Sequence, residues 1–525
     1  MTRDAAEIGF GLAPARPARP IGAGERIHVV GAAGAGASAA ALLAQYAGGA
    51  ASGCDPGAPS PYTPALEAAG IGLAGEHSPS HVTATPAPDR LAVTKALTSV
   101  DPDHPELAAA RAAGIPLEPW QQVVADAAVG RTLVGVAGTH GKSTTAGWLV
   151  HLLVAAGPDP PAFVGALLPS SLTGGAPATA RWGRGAAFVV EADEYAGNFD
   201  PYHPAVALVT NAEWDHPDVF ADRAAVIAAF EGWLRRAADV AEARGERASL
   251  VVNVGDPGAA VLVGRLLDLP VAVVAVALVE GAAQRIGGDA RAMAEQFATA
   301  AGPATVLLGR VAADDTTGTL LEIHGLDPLS GPASVRLATA GRHNAANALC
   351  ATGAGHRLGL SPAAIARGLE GFNGVGRRLE RKGEAGGVIV YDDYGHHPSA
   401  IRATLAAVRQ REPGRRVWAV HEPLTYHRTA ALLADLATAL AEADAVAVAD
   451  IWPGRDPDTT IASADGLARA VAARRPDIPV AAPGSVEATA RWLAGEVRSG
   501  DVVLVMGGGR SYRIGELLLE ALAPR

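Results

Sequence analysis

The stretch "VAGTHGKSTT", Val136 to Thr145, holds one of only three lysines in 525 residues, the others being Lys95 and Lys382. Gly138, Thr139, His140, Gly141, Lys142, Ser143 and Thr144 follow the apolar run "RTLVGVAG" and lead into the helical pattern "TTAGWLVHLLVAA". At such a strand-to-helix turn, backbone N–H groups and a helix N-terminus can surround phosphates. A lysine can reach the β and γ oxygens, and a serine hydroxyl can ligate Mg²⁺. The full pattern GxxxxGK[ST] asks for glycine at position 136, where this chain has Val136, so the loop is a shortened variant. A tight turn with an incidental lysine is the plain alternative. The strand, loop and helix context argues against it, and nucleotide binding is the expectation.

Further polar groups sit where parallel strands deliver site residues, at C-terminal ends. Glu191 and Asp193 close "AAFVVEAD", and His216 in "TNAEWDH" follows "PAVALVTN". A carboxylate and an imidazole converging from neighbouring strands suit a Mg²⁺ beside a triphosphate, with strand-end capping as the alternative for either motif alone. Asn344 and Asn347 in "GRHNAANA" share a helix face and could read an adenine edge; taken alone, helix capping is the better reading. "YDDYGHHP", Tyr391 to Pro398, packs two carboxylates and two imidazoles at a strand end. Zinc is a rival there, but adjacent His396 and His397 point apart, which argues against both binding one ion. Gly31, Gly34 and Gly36 form G-x-x-G-x-G, and Asp55 follows the next strand; this suits a nucleotide diphosphate and leaves NAD open.

The elements that must position these groups alternate strand and helix, giving an α/β chain. Its length predicts roughly three domains. A Rossmann-like unit opens with "RIHVVGAAGAGASAAALLAQYAGG", a second domain starts near residue 126, and a third follows "GFNGVGRRLERKG". The boundaries expected are 26–125, 126–371 and 372–525, behind a disordered Pro/Ala/Arg leader over 1–25 that lacks the apolar core of a signal peptide. No long apolar run suggests a membrane span, and a net charge of −11 argues against nonspecific nucleic-acid or anionic-membrane binding. A cytoplasmic protein with small-molecule partners is expected, as a monomer or homodimer. Cys54 and Cys350 lie far apart without a CxxC or a His-rich stretch, so no disulfide framework or zinc site is indicated.

"IHVVGAAGAGAS", "AGTHGKSTT", "EADE", "TNAEWDH", "GRHNAANA" and "VYDDYGHHPSAI", in that order, resemble the Mur ligase family of ATP-dependent amide-forming enzymes over roughly residues 26 to 520. The resemblance implies an N-terminal Rossmann-like domain for a UDP-sugar, a central P-loop ATPase and a C-terminal Rossmann-like domain closing over ATP. It implies contacts to ATP from Gly138, Thr139, Gly141, Lys142, Ser143, Thr144, Asn344, Asn347, Arg378 and Asp393. Mg²⁺ would fall to Ser143, Glu191 and His216, with Lys142, Glu191 and His216 catalytic. The UDP-sugar would fall to Gly31, Gly34, Gly36, Asp55, His140 and Arg181, and the amino acid to Tyr394, His396 and Arg428. The implied reaction joins L-alanine to UDP-N-acetylmuramate through an acyl phosphate in peptidoglycan precursor synthesis. Alternatives are recycling of murein tripeptide onto the same sugar, or a non-catalytic nucleotide-binding descendant. Departures are "GAAGAGA" for "GIGGxGM", Thr179 for a common asparagine and Leu424 for a common histidine. No lysine lies between Asp215 and Arg378, so the carbamylated lysine of many relatives is not expected.

Overall fold

Short runs rich in valine and alanine, bounded by glycine and polar residues, become strands buried on both faces, and helices cover them. The computed structural model describes residues 2–280, 283–327, 331–456 and 458–523. Its first sheet is parallel, in the order Gly72–Ala74, Ala50–Cys54, Arg26–Val30, Arg90–Val93, Leu117–Pro119. Gly34 caps the helix Ala35–Tyr46, whose small side chains let it lie against this sheet, the helix Trp120–Ala127 and the strand Ala178–Arg181 of the next sheet. Gly36 is required by that approach, since a Cβ there would run into the Trp120 ring. A boundary after residue 125 therefore falls inside a helix that packs with the first sheet.

Among the described residues the second sheet has ten strands, and Thr132–Ala137 lies between Val206–Val209 on one side and Ala187–Glu191 on the other. Glu191 and the segment that carries His216 thus flank the phosphate loop's strand; their strands are not neighbours of each other. The helix Lys142–Ala156 is apolar on all sides because it is enclosed, packing against the helices Arg342–Arg357 and Pro362–Glu370. Trp148 is fully buried on it and stacks on Phe372, ring centroids 4.7 Å apart. The third sheet runs Glu380–Ala385, Val388–Asp393, Val502–Gly507, Val417–Glu422, Ala445–Ala449, Val480–Gly484, with only the first pair antiparallel.

The expected disordered leader is corrected. A capping box of Asp4 and Glu7 opens the helix Ala5–Ile8, and Ile8 is buried against Tyr195 and Ala196. Arg16 forks onto Glu118 and Asp126, both buried. The Pro- and Arg-rich composition reads as unfoldable by itself, but the apolar and acidic partners come from elsewhere in the chain.

Candidate active site

The strand Thr132–Ala137 feeds a loop whose turn needs glycine: Gly138 has φ 134° and Gly141 φ 78°, and a Cβ at Gly141 would collide with Asn347. Gly141 then caps the helix Lys142–Ala156. Lys142 Nζ folds back to donate to Gly138 O at 2.7 Å and to Glu194 Oε2 at 3.0 Å, with Asp193 Oδ1 at 3.6 Å. Burial opposes its charge, but Glu194, Asp193 and Glu191 outweigh burial and raise its pKa, so the ammonium is held cationic. Ser143 Oγ donates to Glu191 Oε1 at 3.0 Å and accepts from Arg378 Nη2 at 2.9 Å. The other oxygen of Glu191 takes the Gly165 N–H at 2.6 Å.

A second acidic layer lies behind the lysine. Glu194 is buried, and that burial pushes its carboxyl up to about 7 despite Lys142 beside it. His216, in the left-handed region at φ 55°, turns Nε2 towards Glu194 Oε1 at 3.8 Å. Its Nδ1 meets Arg428 Nη2 at 3.1 Å and Arg455 Nη2 at 2.9 Å. Guanidinium groups only donate, so Nδ1 accepts and the neutral ring carries its proton on Nε2. Burial keeps this imidazole well below its ordinary pKa; Asp215 opposes that shift and the two arginines reinforce it.

The third sheet delivers the facing wall. Asp393 is pinned by the N–H groups of Leu379 at 2.7 Å and Gly395 at 2.6 Å, while Arg378 lies over the Tyr394 ring. His396 Nδ1 donates to Tyr394 O at 3.0 Å, leaving Nε2 facing Asp215 Oδ2 at 3.8 Å; burial pulls its pKa down to about 4. Arg428 spends its fork on protein groups: Nε on Asp215 Oδ1 at 2.7 Å, Nη1 on Leu424 O at 3.3 Å and Nη2 on His216. Arg455 lies over the Tyr195 ring with its guanidinium carbon 3.5 Å from the centroid.

Residues of the second and third sheets' units, with Gly36, Trp120 and Gln121 from the helices of the first, line a cavity of about 600 Å³. Lys142, Glu191, Asn347, Arg378 and His396 line it, and His216 joins them. Asn344 and Asn347 do project together beside the loop, Asn344 donating to Ala340 O at 2.7 Å. His140 lies against His397, which caps the helix Pro398–Arg411, ring centroids 4.4 Å apart. Gly31 and Gly34 stand in the first sheet's turn, where Asp55 Oδ2 accepts the Ala33 N–H at 2.9 Å and so holds the loop itself. Arg181 is a correction to the expected sugar contacts. It pairs with Ala162, level with Val189 and Val134 and below the sheet's C-terminal edge. Its donors go to Leu172 O, Pro160 O and Asp159.

Several polar groups here were not singled out by sequence. Glu194 is the last residue of "EADE", and Asp215 immediately precedes His216, so both had a signal in their motifs. Arg455, in an irregular segment after Trp452, had none.

The matches with known proteins fit this geometry. The Mur ligase family catalytic domain matches residues 26–132, the Mur ligase middle domain 136–355, and the Mur ligase glutamate ligase domain 377–509. The chain is 36% identical over 528 residues to a UDP-N-acetylmuramate–L-alanine ligase of Frankia casuarinae, covering 95% of this chain and 98% of that one. Its fold is similar to the UDP-N-acetylmuramate-alanine ligase of Thermotoga maritima, with TM-score 0.71 and 22% identity over 94% of this chain and 98% of that one. It is also similar to a murein peptide ligase of Psychrobacter arcticus, with TM-score 0.70 and 22% identity over 96% and 99%. Three matching domain families in order, and a relative aligned over nearly the whole length, establish that the chain belongs to the Mur ligase family.

Proposed function

We propose that this protein joins L-alanine to UDP-N-acetylmuramate at the expense of ATP, through an acyl phosphate. The observation that carries the reading is one shared cavity in which a phosphate loop, buried carboxylates and the arginines of a third domain meet. A free carboxylate has no adequate leaving group. In the first step its oxygen therefore attacks the γ-phosphorus of ATP, releasing ADP. In the second step the amine attacks the acyl carbon, loses a proton, and phosphate departs with the C–O bond pair. Lys142 offsets the repulsion between carboxylate and triphosphate, and the N–H groups ahead of the helix Lys142–Ala156 orient the phosphates. Asn344 and Asn347, beside the loop, suit the adenine edge, and the third domain's wall of Arg378, Asp393 and Tyr394 shields the acyl phosphate from water.

Mg²⁺ fits the donors at the phosphate loop: Ser143 Oγ and Glu191 Oε1 are hard oxygens 3.0 Å apart, and Glu194 Oε1 is buried without a hydrogen-bond partner among the described residues. Ser143 and Glu191 would hold it, with His216 adjoining through Glu194, and it would supply neutralisation of charge on the phosphates. Glycine-loop residues Gly31 and Gly34 suit the UDP group. Tyr394, His396 and Arg428 border the amine's side, with Arg428 acting through Asp215 and His216 as a positioning residue.

Phosphate release from ATP, measured with UDP-N-acetylmuramate and L-alanine, L-serine, glycine or murein tripeptide in turn, tests the assignment. Release with L-alanine above the others is expected. Release with tripeptide alone would replace L-alanine as the amine, and no release with any would sink the ligase reading.

A further inference from the structure

A cluster of soft and hard metal-binding atoms lies in the first sheet, outside the cavity. His28 and Cys54 stand on adjacent parallel strands in a register that pairs His28 with Ser52 and Val30 with Cys54, so both face one side. His81 comes from the short helix Ser80–Thr83 and Glu106 from the first turn of Pro105–Ala112. His28 Nε2 lies 3.3 Å from Cys54 Sγ and 3.2 Å from Glu106 Oε1. Glu106 Oε1 lies 3.0 Å from His81 Nδ1 and 3.6 Å from Cys54 Sγ. All four ligand atoms fall within 4.8 Å of one another. A tetrahedron with metal–ligand bonds of about 2.0–2.3 Å has edges of roughly 3.3–3.8 Å, and the measured separations lie close to that.

The surroundings favour a cation. Cys54 and Glu106 are fully buried. Every ion pair of Glu106 among the described residues is with a histidine, and no lysine or arginine neutralises it. A buried carboxylate in that position is costly unless paired. Outer contacts are also in place. Ser52 Oγ lies 2.9 Å from His28 Nδ1, and the Ser78 N–H donates to Glu106 Oε2 at 3.0 Å. Partners of this kind fix the tautomer and carboxylate orientation of a metal's ligands. His77 Nδ1, 3.0 Å from Cys54 Sγ, flanks the set.

We infer that His28, Cys54, His81 and Glu106 form a Zn²⁺ site that staples the 75–84 segment and the helix Pro105–Ala112 to the first sheet. One thiolate, two imidazoles and one carboxylate in tetrahedral spacing suit Zn²⁺ and disfavour Mg²⁺, and four protein ligands make the site structural. Binding releases the Cys54 thiol proton to solvent. No sequence motif announces it, because sequence gaps of about 25 residues between ligands are closed only by the sheet order.

The full-length protein, stripped with chelator and given Zn²⁺ or Co²⁺ with Mg²⁺ in excess, tests this without any activity measurement. About one Zn²⁺ per chain should survive gel filtration, and the Co²⁺ form should show a thiolate-to-metal charge-transfer band. Both should be lost in Cys54→Ser and in His81→Ala and kept in Cys350→Ser. Circular dichroism should show all three variants folded; if Cys54→Ser is not, His81→Ala decides. A wild type that retains no Zn²⁺, or a folded Cys54→Ser or His81→Ala that retains zinc and band as wild type does, would overturn the inference.

Discussion

Arg428 Nε donates to Asp215 Oδ1 at 2.7 Å across 213 positions of sequence, and both side chains are almost wholly buried. The pair joins the third domain to the second at the wall of the cavity, and the same guanidinium fixes the tautomer of His216. Domain docking and site geometry are thus one interaction.

Removing one partner of a buried pair leaves an unpaired charge, at a cost of roughly 3–5 kcal/mol, whereas removing both costs far less. Arg428→Met should therefore lower the urea midpoint sharply. The double variant Asp215→Asn with Arg428→Met should recover most of that loss while remaining inactive. Strictly additive losses in the urea series would show that the two side chains are not coupled.

Lys142→Ala should cut turnover by at least about 10²–10³-fold, the usual cost of losing one group aimed at developing charge. UDP-N-acetylmuramate affinity, measured by calorimetry, should change little, because the glycine loop assigned to UDP is in another domain. Equal loss of turnover and sugar binding would contradict that division.

His421 lies buried in the strand Val417–Glu422, and burial lowers its pKa from 6.5 to about 3. Between those values the unfolded chain binds a proton that the folded chain does not, so its contribution to stability is present above pH 6.5 and lost as pH falls. His421→Phe should flatten the fall in denaturation midpoint between pH 6.5 and 4, by up to about 1.4 kcal/mol per pH unit. Identical slopes for variant and wild type would show the imidazole is not held neutral.

Much of this was legible in the sequence, for local reasons. The strands Arg26–Val30 and Val502–Gly507 sit where apolar runs led into glycine, Ala187–Glu191 and Val206–Val209 where β-branched runs ended in polar residues, and the loop at Lys142 was marked by its flanking strand and helix. Interactions that depend on distant partners were not legible. Arg181 looked like a sugar ligand until the antiparallel strand placed it beside Asp159. The leader looked unfoldable until Ile8 met Tyr195. Arg455 reaches His216 from an irregular segment, and Cys54 gains its histidines only through sheet order.

Isotope labelling shows whether the cavity activates a carboxylate by phosphorylating it. UDP-N-acetylmuramate carrying ¹⁸O in its carboxylate is turned over with ATP and L-alanine, and the released phosphate is analysed by mass spectrometry. One carboxylate oxygen should move into each phosphate, because the attacking oxygen stays with phosphorus when the amine displaces it. Amide product accompanied by unlabelled phosphate would contradict it.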